Sequence, residues 1–113
     1  MMSELDIESI RGSVREFAER RLRGVAKLID QVNSVPEDVI RDVASMGYFA
    51  LRVPEDYGGP GLSVLESVIA IEELSRVSSA IGIMATVSGS MVPYPIVKYG
   101  SVELKEKYLS MLA

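Results

Sequence analysis

The sequence predicts an all-α fold, an orthogonal bundle of about five helices with a Pro/Gly-rich elbow between the second and third. Three observations carry this. Apolar residues recur at three- and four-residue spacing along most of the chain, the period of a helix with one buried side. Residues 53–62, Val-Pro-Glu-Asp-Tyr-Gly-Gly-Pro-Gly-Leu, hold two prolines and three glycines and cannot be helical. The one extended-looking stretch, residues 48–53, has no partner strand, so no real sheet is expected.

The elements follow in order. The first helix spans about residues 6–29, with Ile7, Ile10, Val14, Phe17, Ala18, Leu22, Val25, Ala26 and Ile29 on one stripe. Gly12 and Gly24 weaken it by up to ~1 kcal/mol each relative to alanine. Its five arginines alternate with Glu8, Glu16 and Glu19, which reads as a solvated face with i,i+4 pairs rather than a basic patch. Ser34 is the expected cap of a second helix, with Pro36 in its first turn, Val39, Ile40, Val43, Ala44 and Met46 inward and Gly47 as the stop. Residues 48–53 then run extended with Phe49 and Leu51 inward. After the elbow, Ser63 and Glu66 form a capping box for a third helix to Val77. Val64, Leu65, Val68, Ile69, Ile71 and Leu74 cover more than half its girth, so it is expected to be central, with Glu66, Glu72, Glu73 and Arg76 at the wet edge. Ser78-Ser79 breaks it and caps a fourth helix over residues 80–92, ended by Pro93-Tyr94-Pro95. A short helix near residues 96–99 stops at Gly100, and Ser101 caps a last one over 102–112.

Composition narrows the function. The chain has 113 residues, one domain's worth, and 48% of them are apolar, too many for disorder. The net charge of −4 argues against nucleic acid as a partner. There is no cysteine and no histidine. That removes disulfides, thiolate chemistry and the commonest general base and metal ligand. No metal site and no catalytic residue are nominated. The start, Met1-Met2-Ser3-Glu4-Leu5-Asp6, has neither a basic nor an apolar leader segment, so a cytoplasmic location is expected. The most apolar stretch, residues 80–97, is shorter than the ~20 residues of a membrane span, so a core helix and no membrane are expected. Gly58-Gly59-Pro60-Gly61 suggests a phosphate cradle. It matches neither G-x-x-x-x-G-K-[ST] nor G-x-G-x-x-G, and the plainer reading is an inter-helix elbow. Gly82, Gly89 and the methionines of the fourth helix fit either close helix packing or one wall of an apolar pocket.

Four blocks carry a resemblance. Pro54-Glu55-Asp56-Tyr57-Gly58-Gly59-Pro60-Gly61 resembles the P-E-x-Y-G-G-x-G signature of acyl-CoA dehydrogenases. Glu72-Glu73-Leu74-Ser75-Arg76 is similar to that family's E-E-L-A-R. Residues 86–96, Thr-Val-Ser-Gly-Ser-Met-Val-Pro-Tyr-Pro-Ile, are similar to its S-V-H-N-S-L-G-x-x-P-I. Tyr99-Gly100-Ser101 through Lys105-Glu106-Lys107-Tyr108-Leu109 is similar to its F-G-[ST]-x-E-x-K-x-K-Y-L. The blocks keep the family's order and spacing from about Val35 to Ala113.

The resemblance is to the N-terminal helical domain only, so it implies a single domain over residues 1–113 of a flavoprotein of fatty acid metabolism. The family removes an α-proton from an acyl-CoA thioester with a glutamate while FAD takes the β-hydrogen as hydride. It holds FAD and the base mainly on its other two domains, so no cofactor-binding residue is expected here and the chain alone is expected to be inactive. The expected partners are those remaining domains or a flavin-carrying subunit, acyl-CoA, and copies of itself in a homo-oligomer. The family's third and fourth helices close the far end of the acyl pocket. That nominates Ile83, Met84, Val87, Ser88 and Met91 as substrate-binding. The run over residues 90–96 leans toward the glutaryl-CoA branch, but that branch's arginine near Gly82 has no counterpart, which disfavours a dicarboxylic substrate. The family's H-N-S is Ser88-Gly89-Ser90 here, and its following glycines are Val92 and Tyr94. The alternative is a stand-alone helical binding or self-association module that kept the fold without the chemistry.

Overall fold

The computed structural model describes residues 4–113. The Met1-Met2-Ser3 start lies outside the described residues. Five helices and no strand are found among the described residues: α1 over residues 4–32, α2 Glu37–Ser45, α3 Val64–Val77, α4 Ser79–Tyr99 and α5 over residues 102–112. The elbow lies between α2 and α3, as expected. The Cα atoms fill a flat slab of 41 × 34 × 17 Å, about two helices thick.

Side-chain caps set most of the helix starts. Ser63 Oγ accepts the Glu66 N–H at 3.2 Å and Glu66 returns to the Ser63 N–H at 3.0 Å, the full capping box. Ser78 Oγ accepts from Ile81 N, and Ser101 Oγ from Leu104 N. α2 departs from expectation. Pro36 occupies the cap position and its carbonyl receives Val39 N and Ile40 N, while Ser34 makes no cap. Proline is suited to that place because its fixed φ fits a helix entry and it has no N–H to leave unpaired. Met46, expected inward, is exposed.

Three helices contain a π-helical turn, at Ala18–Leu22, Val87–Met91 and Lys105–Leu109. Each inserts one extra residue and rotates the apolar stripe. In α1 the buried set is therefore Val14, Phe17, Ala18, Leu22 and Ile29, with adjacent residues at the turn. The turn in α4 also explains why Pro93 does not end the helix. Pro93 begins a fresh helical segment, Pro93–Tyr99, where a missing N–H is tolerated. α4 consequently runs 21 residues rather than stopping at 92. It is, among the described residues, one helix long and apolar enough to cross a membrane by length and composition. Its Ile81, Gly82, Ala85 and Gly89 are buried inside the protein.

Two cores flank one segment. The larger joins α1, α2, α3 and α4, and includes Phe17 edge-to-face with Tyr48 at 5.3 Å. The smaller holds Ala50, Val53 and Leu109, with Ile96 and Leu112 packed on it. Residues 48–53 are the wedge between them. They are not extended: Ala50 N bonds Gly47 O and Val53 N bonds Ala50 O, two successive tight turns. Tyr48 and Leu51 consequently enter the large core, Ala50 and Val53 the small one, and Phe49 is only half-buried. The elbow folds back on this wedge through Gly61 N to Val53 O and Leu62 N to Leu51 O, both 2.9 Å. Gly59 passes so close that a Cβ there would lie 2.2 Å from the Val53 carbonyl oxygen.

Candidate functional site: the outer face of α4

α3 and α4 are joined by the single extended residue Ser78, and Gly82 seats one helix against the other. A Cβ at Gly82 would meet Ser75 Oγ at 1.9 Å. This close packing fixes which side of α4 faces away. Ile83 is 64% exposed, Val87 45% and Met91 63%, three apolar residues at successive four-residue steps. The structure brings these three of the five nominated residues onto one uncovered side. The other two lie elsewhere. Met84 packs against the large core, and Ser88 is half-buried with its Oγ donating to the Phe49 carbonyl at 2.8 Å. Val64, Leu65 and Val68 of α3, expected to be central, are each at least half exposed.

The widened turn at Val87–Met91 is tied to the wedge. Val92 N bonds Val87 O, five residues back, and Gly89 O accepts the Arg52 N–H at 2.8 Å. Sequence reasoning missed this link. Its signal was present: a proline at 93 denies the Gly89 carbonyl its usual partner.

Clefts lie elsewhere, two of them beside Ile10 of α1. One of about 580 Å3 is lined by Asp6, Ile10, Ser63, Leu65 and Glu66. Another, of about 220 Å3, lies under the elbow and is lined by Ile10, Val14, Tyr48, Leu51, Pro60 and Leu62. Neither includes a nominated residue.

The glycine run does not fit a flavin pyrophosphate. The N–H groups of Gly58, Gly59 and Gly61 are bonded to Glu55, Pro54 and Val53 carbonyls, so the loop spends its donors on itself. Glu55 and Asp56 stand exposed in a short 3₁₀ turn. No cluster of three metal-binding side chains occurs among the described residues.

Residues 5–113 match the model of the acyl-CoA dehydrogenase N-terminal domain. This chain belongs to the acyl-CoA dehydrogenase family. A probable short/branched chain specific acyl-CoA dehydrogenase of Dictyostelium discoideum is 34% identical over 92% of this chain and 25% of its own length. An acyl-CoA dehydrogenase of Bacillus subtilis is 35% identical over 92% and 27%. A chain solved in work on the electron transferring flavoprotein of Acidaminococcus fermentans superposes with a TM-score of 0.89 at 34% identity, covering all of this chain and 30% of that one. Butyryl-CoA dehydrogenase from Megasphaera elsdenii shares the fold, with a TM-score of 0.85 at 24% identity over 99% and 30%. This acyl-CoA dehydrogenase family chain thus spans about a quarter of the length of the curated relatives it matches.

One block of this family member behaves unexpectedly. Glu73, expected at the wet edge of α3, is 1% exposed. Arg15 of α1 holds it through two guanidinium donors, Nε and Nη2, at 3.0–3.3 Å, and Arg76 donates at 3.0 Å. Arg11 bridges to Glu72 at 3.0 Å. Burial pushes the Glu73 carboxyl upward, but the hydrogen bonds and charges of Arg15 and Arg76 outweigh it and hold it below the usual range. The arginines of α1 are thus partly cross-helix partners. Arg20–Glu16 and Arg23–Glu19 remain the expected i,i+4 pairs, while Arg21 reaches Asp38 and Asp42 of α2.

Proposed function

We propose that this chain is the N-terminal domain of an FAD-dependent acyl-CoA dehydrogenase, which forms an α,β-double bond in an acyl-CoA thioester. The observation that carries the reading is the uncovered line Ile83, Val87 and Met91 in a family member. Together with Met84 and Ser88 behind it, this line forms one wall of the acyl pocket. All three exposed side chains lack charge, so an uncharged acyl chain is the substrate they suit. The other exposed apolar residues, among them Val64, Leu65 and Val68, make contacts to the remaining domains, to a flavin-carrying subunit or to further copies in a homo-oligomer. FAD, bound by those other parts, supplies the hydride acceptor. This chain supplies shape and exclusion of water, in the cytoplasm, and no catalytic group.

The test mixes the isolated chain with acyl-CoA, FAD and an electron acceptor. No turnover is expected; turnover by the chain alone overturns the reading. The mass of the endogenous protein, detected with an antibody to this domain, is expected to be several-fold larger or to co-purify with a flavoprotein. The same exposed side chains favour a second reading, a self-associating module without chemistry. Sedimentation at several concentrations separates the two: a discrete dimer of a protein of this size, free of flavin, supports the module.

A further inference from the structure

We propose that Gly89 and Pro93 are positioning residues that set the acyl-chain selectivity of the α4 wall without touching the acyl group; the inference rests on the wall reading above. In an ordinary α-helix the Gly89 carbonyl would accept from the N–H of residue 93. Pro93 has no N–H, and its ring crowds the carbonyl four residues back. The helix instead widens, with Val92 N bonded to Val87 O at 2.9 Å. The freed Gly89 carbonyl takes the Arg52 N–H at 2.8 Å, and Ser88 Oγ anchors one residue earlier on Phe49 O. That approach is tight for any side chain. A Cβ at 89 would lie 3.1 Å from Leu51 Cγ and the Tyr48 oxygen and 3.2 Å from Leu51 N.

The inner side of the turn is therefore clamped to residues 48–52 while its outer side presents Val87 and Met91. One residue of helical register is a rotation of about 100°. Restoring the ordinary register would carry Met91 by about that angle from one side of Val87 to the other, still on the same face of α4, and change the depth and outline of the wall. Widened turns of this kind recur where a helix must aim particular side chains.

The test uses the flavin-loaded enzyme containing this domain, and compares kcat/KM for straight-chain acyl-CoAs of four and eight carbons. Pro93→Ala restores the missing donor. It is expected to shift the ratio of the two substrates by roughly tenfold, the scale on which apolar pockets resolve methylene groups, through KM more than kcat. Amide exchange at Arg52, read on this chain by NMR, is expected to quicken in the same variant. Gly89→Ala, which pushes the wedge from the turn by another route, is expected to shift the ratio too and serves if Pro93→Ala does not fold. Val87→Phe controls for the wall itself. If it changes the ratio while Pro93→Ala and Gly89→Ala quicken Arg52 exchange without moving it, the positioning role falls and the wall stands. If Val87→Phe also leaves the ratio unmoved, the wall reading falls and this inference with it. An unchanged Arg52 exchange rate in a folded Pro93→Ala variant likewise overturns the proposal.

Discussion

The seam between α1 and α3 and the outer side of α4 begin from similar places: each is a helix face that a thin domain cannot bury deeply. The seam is closed. Glu73 is buried, and Arg15 and Arg76 cap it from the solvent side, each about half exposed. The outer side of α4 is left open, with Ile83 and Met91 each more than 60% exposed. The contrast separates two uses of surface. At the seam, charge finishes the structure from within; where an apolar face is left unfinished, something outside these residues is expected to finish it.

The strongest break of that contrast is to open the seam. Glu73→Ala is expected to cost about 2–3 kcal/mol, the scale of hydrogen bonds to charged groups, read by urea denaturation. The same carboxylate makes the seam acid-sensitive. Its folded pKa is depressed, so its contribution is present above the unfolded value near 4.3 and is lost as pH falls through the lower folded value. Stability of the parent is expected to drop over that acidic window more steeply than that of Glu73→Ala. Next in size is Gly82→Ala, which forces α3 and α4 apart at Ser75 and is expected to cost about 1–3 kcal/mol. Gly12→Ala goes the other way. Gly12 has no neighbour within 4 Å of a new Cβ, so a gain of up to ~1 kcal/mol is expected, seen as a higher Tm. The smallest effect belongs to the open face: Met91→Ser is expected to stay within about 0.5 kcal/mol of the parent while reducing concentration-dependent association in sedimentation.

Much of the fold is written in short-range chemistry and could be read directly. Ser63, Ser78 and Ser101 announce their helices because a hydroxyl three residues before an N–H is a local event. The seam is not local. Nothing in Glu72-Glu73 tells which of two adjacent carboxylates will meet Arg15, some sixty residues away in sequence. The widened turns were hidden for a related reason: a stripe of apolar residues looks continuous until one residue too many is counted. Only Pro93 betrays one of them, through the carbonyl it strands. Residues 48–53 looked extended because they are apolar and short, yet two cores compete for them and the chain turns twice to serve both. For the candidate site, the apolar character of the nominated residues and the helix that carries them were legible. That Ile83, Val87 and Met91 face out while Met84 and Ser88 face in depended on Gly82 and Gly89, whose close approaches only coordinates reveal.

The slab dimension, 17 Å through its thin direction, carries a last consequence. On the wall reading proposed above, a plate of this thickness supplies one side of a mould. The other side would then come from a second body. The tightness of the mould would therefore depend on the distance between the two bodies as much as on any residue of the plate.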